Sequence, residues 1–171
     1  MKEVLIVDGY NMIGAWPELS SLAKLSLEDA RDRLVEYLAD YQGFSGRKVI
    51  LVFDAHQVPG KGKKYRQHRV DVRYTREKET ADECIERLAA DMARMRHHVY
   101  VATSDYTEQR VTFGQGALRI SARELWIEIN NSRREMEEVI ERNKQPERNS
   151  FDAKISSDLM EILEKWRRGE P

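Results

Sequence analysis

The sequence predicts an α/β fold, a parallel, Rossmann-like sheet with helices on both faces. Three observations carry that expectation. Residues 4–7 (Val-Leu-Ile-Val), 49–53 (Val-Ile-Leu-Val-Phe) and 99–102 (Val-Tyr-Val-Ala) are short apolar runs rich in β-branched side chains, the pattern of strands buried on both faces. Between them apolar residues recur every three or four positions, as on a helix with one buried face. Strands alternating with helices make β-α-β units, whose crossovers produce parallel neighbours.

The elements follow in order. The first strand stops at Asp8-Gly9, a pair that suits a turn. Leu27, Ala30, Leu34, Leu38 and Tyr41 form a helical stripe ending near Gly43, and the second strand stops at Asp54. Residues 57–69 read as a solvated loop. Val70-Asp71-Val72-Arg73-Tyr74 alternates, so this strand should face water on one side and lie at an edge. Thr80-x-x-Glu83 has the form of a capping box before Ala81, Ile85, Leu88, Met92 and Met95. His97 and His98 end that helix, where cationic groups complement the dipole. Residues 117–120 make a short fifth strand. Ser121-x-x-Glu124 then caps a stripe of Ala122, Leu125, Ile129, Met136 and Ile140. A break around Pro146 precedes a last stripe, Ile155, Leu159, Leu163 and Trp166. The expected organisation is a domain over residues 1–144, with a linker and C-terminal helix over 145–171 packed on the same domain.

Composition excludes several classes. The 171 residues carry a net charge of -1 with 35% charged residues, against about 25% in an average globular protein. The surface is therefore dense in charge but balanced, which rules out a uniformly basic nucleic-acid coat. No run approaches the ~18 apolar residues of a membrane span, and the N-terminus MKEVLIVDGYNM does not read as a signal peptide. One cysteine, Cys84, excludes an intramolecular disulfide framework and a CxxC zinc site, and falls on a buried stripe. There is no GxGxxG and no Walker motif, so no organic cofactor is expected. A cytoplasmic protein with no membrane partner is the expectation.

Acids recur where strands stop: Asp8, Asp54, and Asp105 two residues beyond the third run, with Asp82 in the first turn after Thr80. Parallel strands joined by right-handed crossovers bring their C-terminal ends to one edge, the usual place for a site. Carboxylates gathered there repel, and a divalent ion relieves the conflict. Mg²⁺ or Mn²⁺ suits oxygen donors and supports phosphoryl chemistry. Each acid also has a plainer explanation, as a turn residue or a helix-start acid. Haloacid-dehalogenase-type phosphatases want a D-x-D pair after the first strand, where this chain has Asp8-Gly9-Tyr10. A phosphoacceptor signalling domain wants a lysine after a late strand, where this chain has Ser121-Ala122-Arg123. The segment 57–69 holds Lys61, Lys63, Lys64, Arg66, His68 and Arg69 with Tyr65 and no acid. A basic segment beside an acidic metal site suits capture of RNA, with Tyr65 available to stack on a base.

Asp8-Gly9-Tyr10-Asn11, Phe53-Asp54, Thr80-Ala81-Asp82 and Thr103-Ser104-Asp105, each at its strand or helix end, resemble the NYN domains, which are PIN-like, metal-dependent nucleases. Residues 7–14 (VDGYNMIG) and 102–109 (ATSDYTEQ), with 113–117, 121–125 and the terminal 164–169 (EKWRRG), are similar to the YacP-like branch. The resemblance implies a three-layer PIN-like fold with a C-terminal helical extension. It also implies a metal-dependent endoribonuclease cleaving mRNA in association with the translating ribosome. Carried residue by residue, it makes Asp8, Asn11, Asp82 and Asp105 catalytic. Mg²⁺ or Mn²⁺ would be held by Asp8, Asp82 and Asp105, with Asp54 a further ligand or a support. Where many NYN domains carry a second acid two residues after the later aspartate, this chain has Thr107 beside Glu108, which favours one ion. The alternative is a PIN-like factor that binds RNA or the ribosome without cutting.

Overall fold

The structure, a computed structural model, describes residues 2–55, 64–67, 69–103, 112–113, 116–144, 161–165 and 167–169, with backbone alone at 64–67 and 112–113. The chain divides into two compact units, Met1–Arg133 and Arg134–Pro171.

In chain order the elements are β1 (Glu3–Asp8), α1 (Gly9–Ala15), α2 (Pro17–Leu25), α3 (Leu27–Ser45), β2 (Lys48–Phe53), β3 (Lys64–Gln67), β4 (Val70–Tyr74), α4 (Ala81–Arg94), β5 (His98–Thr103), β6 (Thr112–Phe113), β7 (Ala117–Ser121) and α5 (Ala122–Lys144). One sheet runs β3-β4-β2-β1-β5-β7-β6. The five inner strands are parallel, and β3 and β6 pair antiparallel at the two edges. The predicted α/β class and its parallel sheet are therefore present.

Strand alternation sorts the core into two layers. Leu5, Val7, Val49, Leu51, Phe53, Val70 and Val72 pack with side chains of α1, α2, α3 and the start of α5. Val4, Ile6, Ile50, Val52, Val99 and Val101 face α4 through Cys84, Ile85, Leu88, Ala89 and Met92. Every one of these side chains is buried. Cys84 is a packed thiol, and burial pushes its pKa up.

Several expectations change. Gly9 does not open a turn, because α1 starts there. α3 runs past Gly43 and ends at Gly46, whose φ of 76° suits a left-handed cap. Both Thr80 and Ser121 accept backbone N–H bonds from Glu83 and Glu124, each at 3.1 Å, as capping residues do. His97 closes the end of α4 by donating its N–H to the Met92 carbonyl at 3.1 Å, whereas His98 already begins β5. β4 is not an edge strand: β3, formed from part of the segment read as a loop, covers it. Asp71 accordingly does not face water; it is buried against Arg73 at 3.1 Å. In α5, Ala122, Leu125 and Ile129 are buried, whereas Ile140 is exposed. Residues 161–165 are helical, and Ile155, Leu159 and Trp166 lie outside the described residues.

Candidate active site

The alternation that sorts the core also aims the acids. Asp8 continues the series Val4, Ile6, and Asp54 continues Ile50, Val52, so both point to the side of the sheet that carries α4. α4 begins at this same C-terminal edge and carries Asp82 in its first turn. Asp8, Tyr10, Asn11, Asp54, Thr80, Ala81 and Asp82 line one cleft of about 370 Å³.

The carboxylates differ in environment. Asp8 is 5% exposed, and Asp82 is exposed, with Asp54 between them. Asp8 sits at the N-cap of α1, where its side chain makes no capping hydrogen bond. Its Oδ2 accepts from Asn11 Nδ2 instead. At α4 the capping is done by Thr80, which leaves Asp82 without that duty. Burial is the main cause holding the Asp8 carboxyl above its ordinary 3.8; contacts from Asn11 oppose the rise, and the charges of Asp82 and Asp54 add to it.

This has a measurable consequence. The raised pKa means that the folded state disfavours ionised Asp8. The resulting destabilisation is absent below about 3.8, grows as pH rises toward the folded pKa, and persists at neutral pH. Asp8→Asn should therefore stabilise the metal-free protein by ~0.5–2 kcal/mol at pH 7. Denaturant midpoints across a pH series should show that advantage shrinking toward acid pH.

Two residues outside the predicted site set hold the site. Thr75 is fully buried and brackets Asp54: its N–H donates to the Phe53 carbonyl at 3.0 Å, and its Oγ1 accepts from the Ala55 N–H at 2.9 Å. Gly9 lets α1 approach the end of β2. A Cβ there would lie 2.4 Å from Phe53 Cε1 and 3.1 Å from the Val52 carbonyl. The Phe53 ring cannot yield easily, being packed between Tyr10 at 5.1 Å and Tyr74 at 5.8 Å. Gly9→Ala should cost about 1–3 kcal/mol by overpacking, read as a lowered thermal midpoint. The close approach of Gly9 depends on Phe53 being in place, so no local pattern shows it.

The other predicted site residues are less gathered. Asp105, Lys61 and Lys63 lie outside the described residues, as does His56. The backbone of Lys64, Tyr65 and Arg66 lies in edge strand β3, and Lys64 stands opposite Arg73, toward the cleft end of β4. Arg69 stands apart. It occupies the β3–β4 turn with φ 70° and lines a different hollow with Lys2, Gly46 and Lys48, where the parallel strands begin. Among the described residues, no three His, Cys, Asp or Glu side chains are close enough to hold a metal ion by themselves. The donors present are oxygens around a buried carboxylate, a set that suits Mg²⁺ or Mn²⁺ completed by water rather than a nitrogen- or sulfur-seeking metal.

A largely parallel sheet between two helical layers, with carboxylates lining a cleft where α4 begins, is the arrangement of a nuclease-like α/β domain. The family model described as the YacP-like NYN domain matches residues 5–168, and the chain belongs to that family. It is 49% identical over 168 residues to the YacP protein of Bacillus subtilis (strain 168), covering 98% of each chain. The crystal structure of Rae1 (YacP) from Bacillus subtilis superposes with a TM-score of 0.72 at 50% identity, covering 98% of this chain and 95% of that one. A tryptophan-to-leucine mutant of that same protein gives a TM-score of 0.71 at 50% identity, over 82% of each chain. No helix among the described residues is long and apolar enough to cross a membrane.

Proposed function

We propose that the chain is a metal-dependent endoribonuclease that cleaves mRNA in association with the translating ribosome. The observation that carries this reading is the meeting of buried Asp8 with Asp54 and Asp82 in one cleft at the start of α4. Membership of a nuclease-like family supports it. Asp8, Asp82 and Asp54 would hold Mg²⁺ or Mn²⁺, with Asp105 completing the set. When bound, the ion supplies water activation and offsets charge on the phosphate being cleaved.

The chain's own groups perform the remaining tasks. Asn11 orients the Asp8 carboxylate through its amide. Thr75 fixes the peptide on either side of Asp54. Lys61, Lys63, Lys64 and Arg66, with Tyr65, capture the RNA strand. Arg69, at the far edge of the sheet, would contact RNA only outside the cleft. In-line displacement at phosphorus by water leaves a 5′-phosphate and a 3′-hydroxyl.

Charge reversal at Lys61, Lys63 and Lys64 should weaken RNA association most at low salt. Each lost phosphate contact should flatten the dependence of log K on log salt by ~0.7; binding unchanged at every salt concentration removes these lysines from the RNA surface. The functional test is cleavage of one mRNA presented naked and on translating ribosomes, with Mg²⁺ or Mn²⁺ added. Cutting that is faster on ribosomes is the expected result, and no cutting of either refutes the nuclease. The one other reading is an RNA- or ribosome-binding factor that does not cut. Failure of the protein to bind Mn²⁺ in calorimetry would select it.

A further inference from the structure

Arginines that lose water need an anion or a ring in exchange, and several in the first unit have one. Arg47 meets Glu3 at 2.6 Å and Glu128 at 3.6 Å, Arg73 meets Asp71 at 3.1 Å, and Arg87 meets Glu79 at 3.3 Å. Arg133 lies 4.8 Å over the Tyr37 ring. Arg31 is different. It is half-buried, and its Nη1 donates to the Tyr10 hydroxyl at 3.3 Å. Among the described residues, no carboxylate pairs with it.

Its position gives that difference a meaning. Arg31 lies in the first turns of α3, and Tyr10 lines the acidic cleft. The phenol thus joins a guanidinium with no anion partner among the described residues to a cleft lined by Asp8, Asp54 and Asp82. A cation is repelled at Arg31, whereas a phosphate oxygen is matched by the guanidinium fork and its remaining donors. We infer that Arg31, steadied by Tyr10, is a subsite for an RNA backbone phosphate neighbouring the one cleaved. The inference rests on the ribonuclease reading above and adds to it a phosphate contact on the α3 side of the cleft, apart from the basic segment that includes β3.

The test is binding of a fluorescently labelled single-stranded RNA in EDTA, which withholds divalent metal, over a series of KCl concentrations. Arg31→Gln should weaken binding about 3–10-fold near 0.1 M salt and flatten the log–log salt slope by ~0.7, the signature of one lost phosphate contact. Arg31→Lys keeps the charge, so it should keep the slope while losing part of the affinity. Thermal midpoints should stay close to that of the unaltered protein, as for most surface changes. An unchanged slope in Arg31→Gln, with the unaltered protein binding RNA, overturns the subsite and leaves the acidic centre standing. Failure of the unaltered protein to bind RNA at any salt concentration overturns the subsite, while the ribonuclease reading stands or falls on the cleavage assay.

Discussion

Replacing Asp8 and Asp82 together by asparagine should lower metal-dependent RNA cleavage by about 10²–10³-fold or more, the scale on which loss of a preorganised electrostatic group slows a reaction. Both substitutions keep side-chain shape and remove charge. Asp8 is buried where its negative charge is costly. Asp82 extends from a helix already capped by Thr80. Neither charge is needed to hold the fold, so the double variant should fold well while losing activity. Its stability at neutral pH should equal or exceed that of the unaltered protein when metal is absent. Added Mn²⁺ should raise the thermal midpoint of the unaltered protein and not that of the variant, because a ligand stabilises only the state that binds it. On the proposed reading the carboxylates would act on one ion, so the two single variants should not sum to the double.

The second large effect concerns the frame. Trp16 is 1% exposed between α1 and α2. Its indole N–H donates to the Ala122 carbonyl at 2.8 Å, and its ring lies 4.8 Å from Trp126. It therefore ties the first helical hairpin to the start of α5. Trp16→Ala should cost about 3–5 kcal/mol through lost burial and the cavity left behind. For a domain of this size the thermal midpoint should fall by roughly 6–20 °C. Trp16→Phe keeps most of the packing and loses the hydrogen bond, so about 1–2 kcal/mol is expected. Equal losses for the two variants would mean that the indole bond, rather than the ring, carries the effect.

How much of this was legible depended on whether the signal was local. The central strands announced themselves because burial on both faces demands continuous apolar runs, and Thr80 and Ser121 because capping is a short-range bond. The acids were visible as strand-end residues. Their shared direction is also written in the alternation, since Asp8 follows Val4 and Ile6 as Asp54 follows Ile50 and Val52. The features that escaped depend on distant partners. β3 has no apolar alternation, and Lys64–Gln67 is a strand because β4 offers it an edge. α1 and α2 are broken up by Gly9, Gly14 and Pro17, which hide the spacing of Met12, Trp16 and Leu19. Thr75 matters because β4 ends beside β2, and Arg31 because α3 passes Tyr10; neither neighbour is near in sequence.

On the proposed reading the cleft of Asp8, Asp54 and Asp82 performs metal-dependent hydrolysis of RNA, which requires defined products. The most direct test of that reading is the chemistry of the ends produced from a defined RNA, with divalent metal present and after its removal by EDTA. Fragments carrying 5′-phosphate and 3′-hydroxyl ends, formed with Mg²⁺ or Mn²⁺ and absent in EDTA, are the expected result. Fragments carrying 5′-hydroxyl and cyclic phosphate ends, formed equally in EDTA, would contradict it.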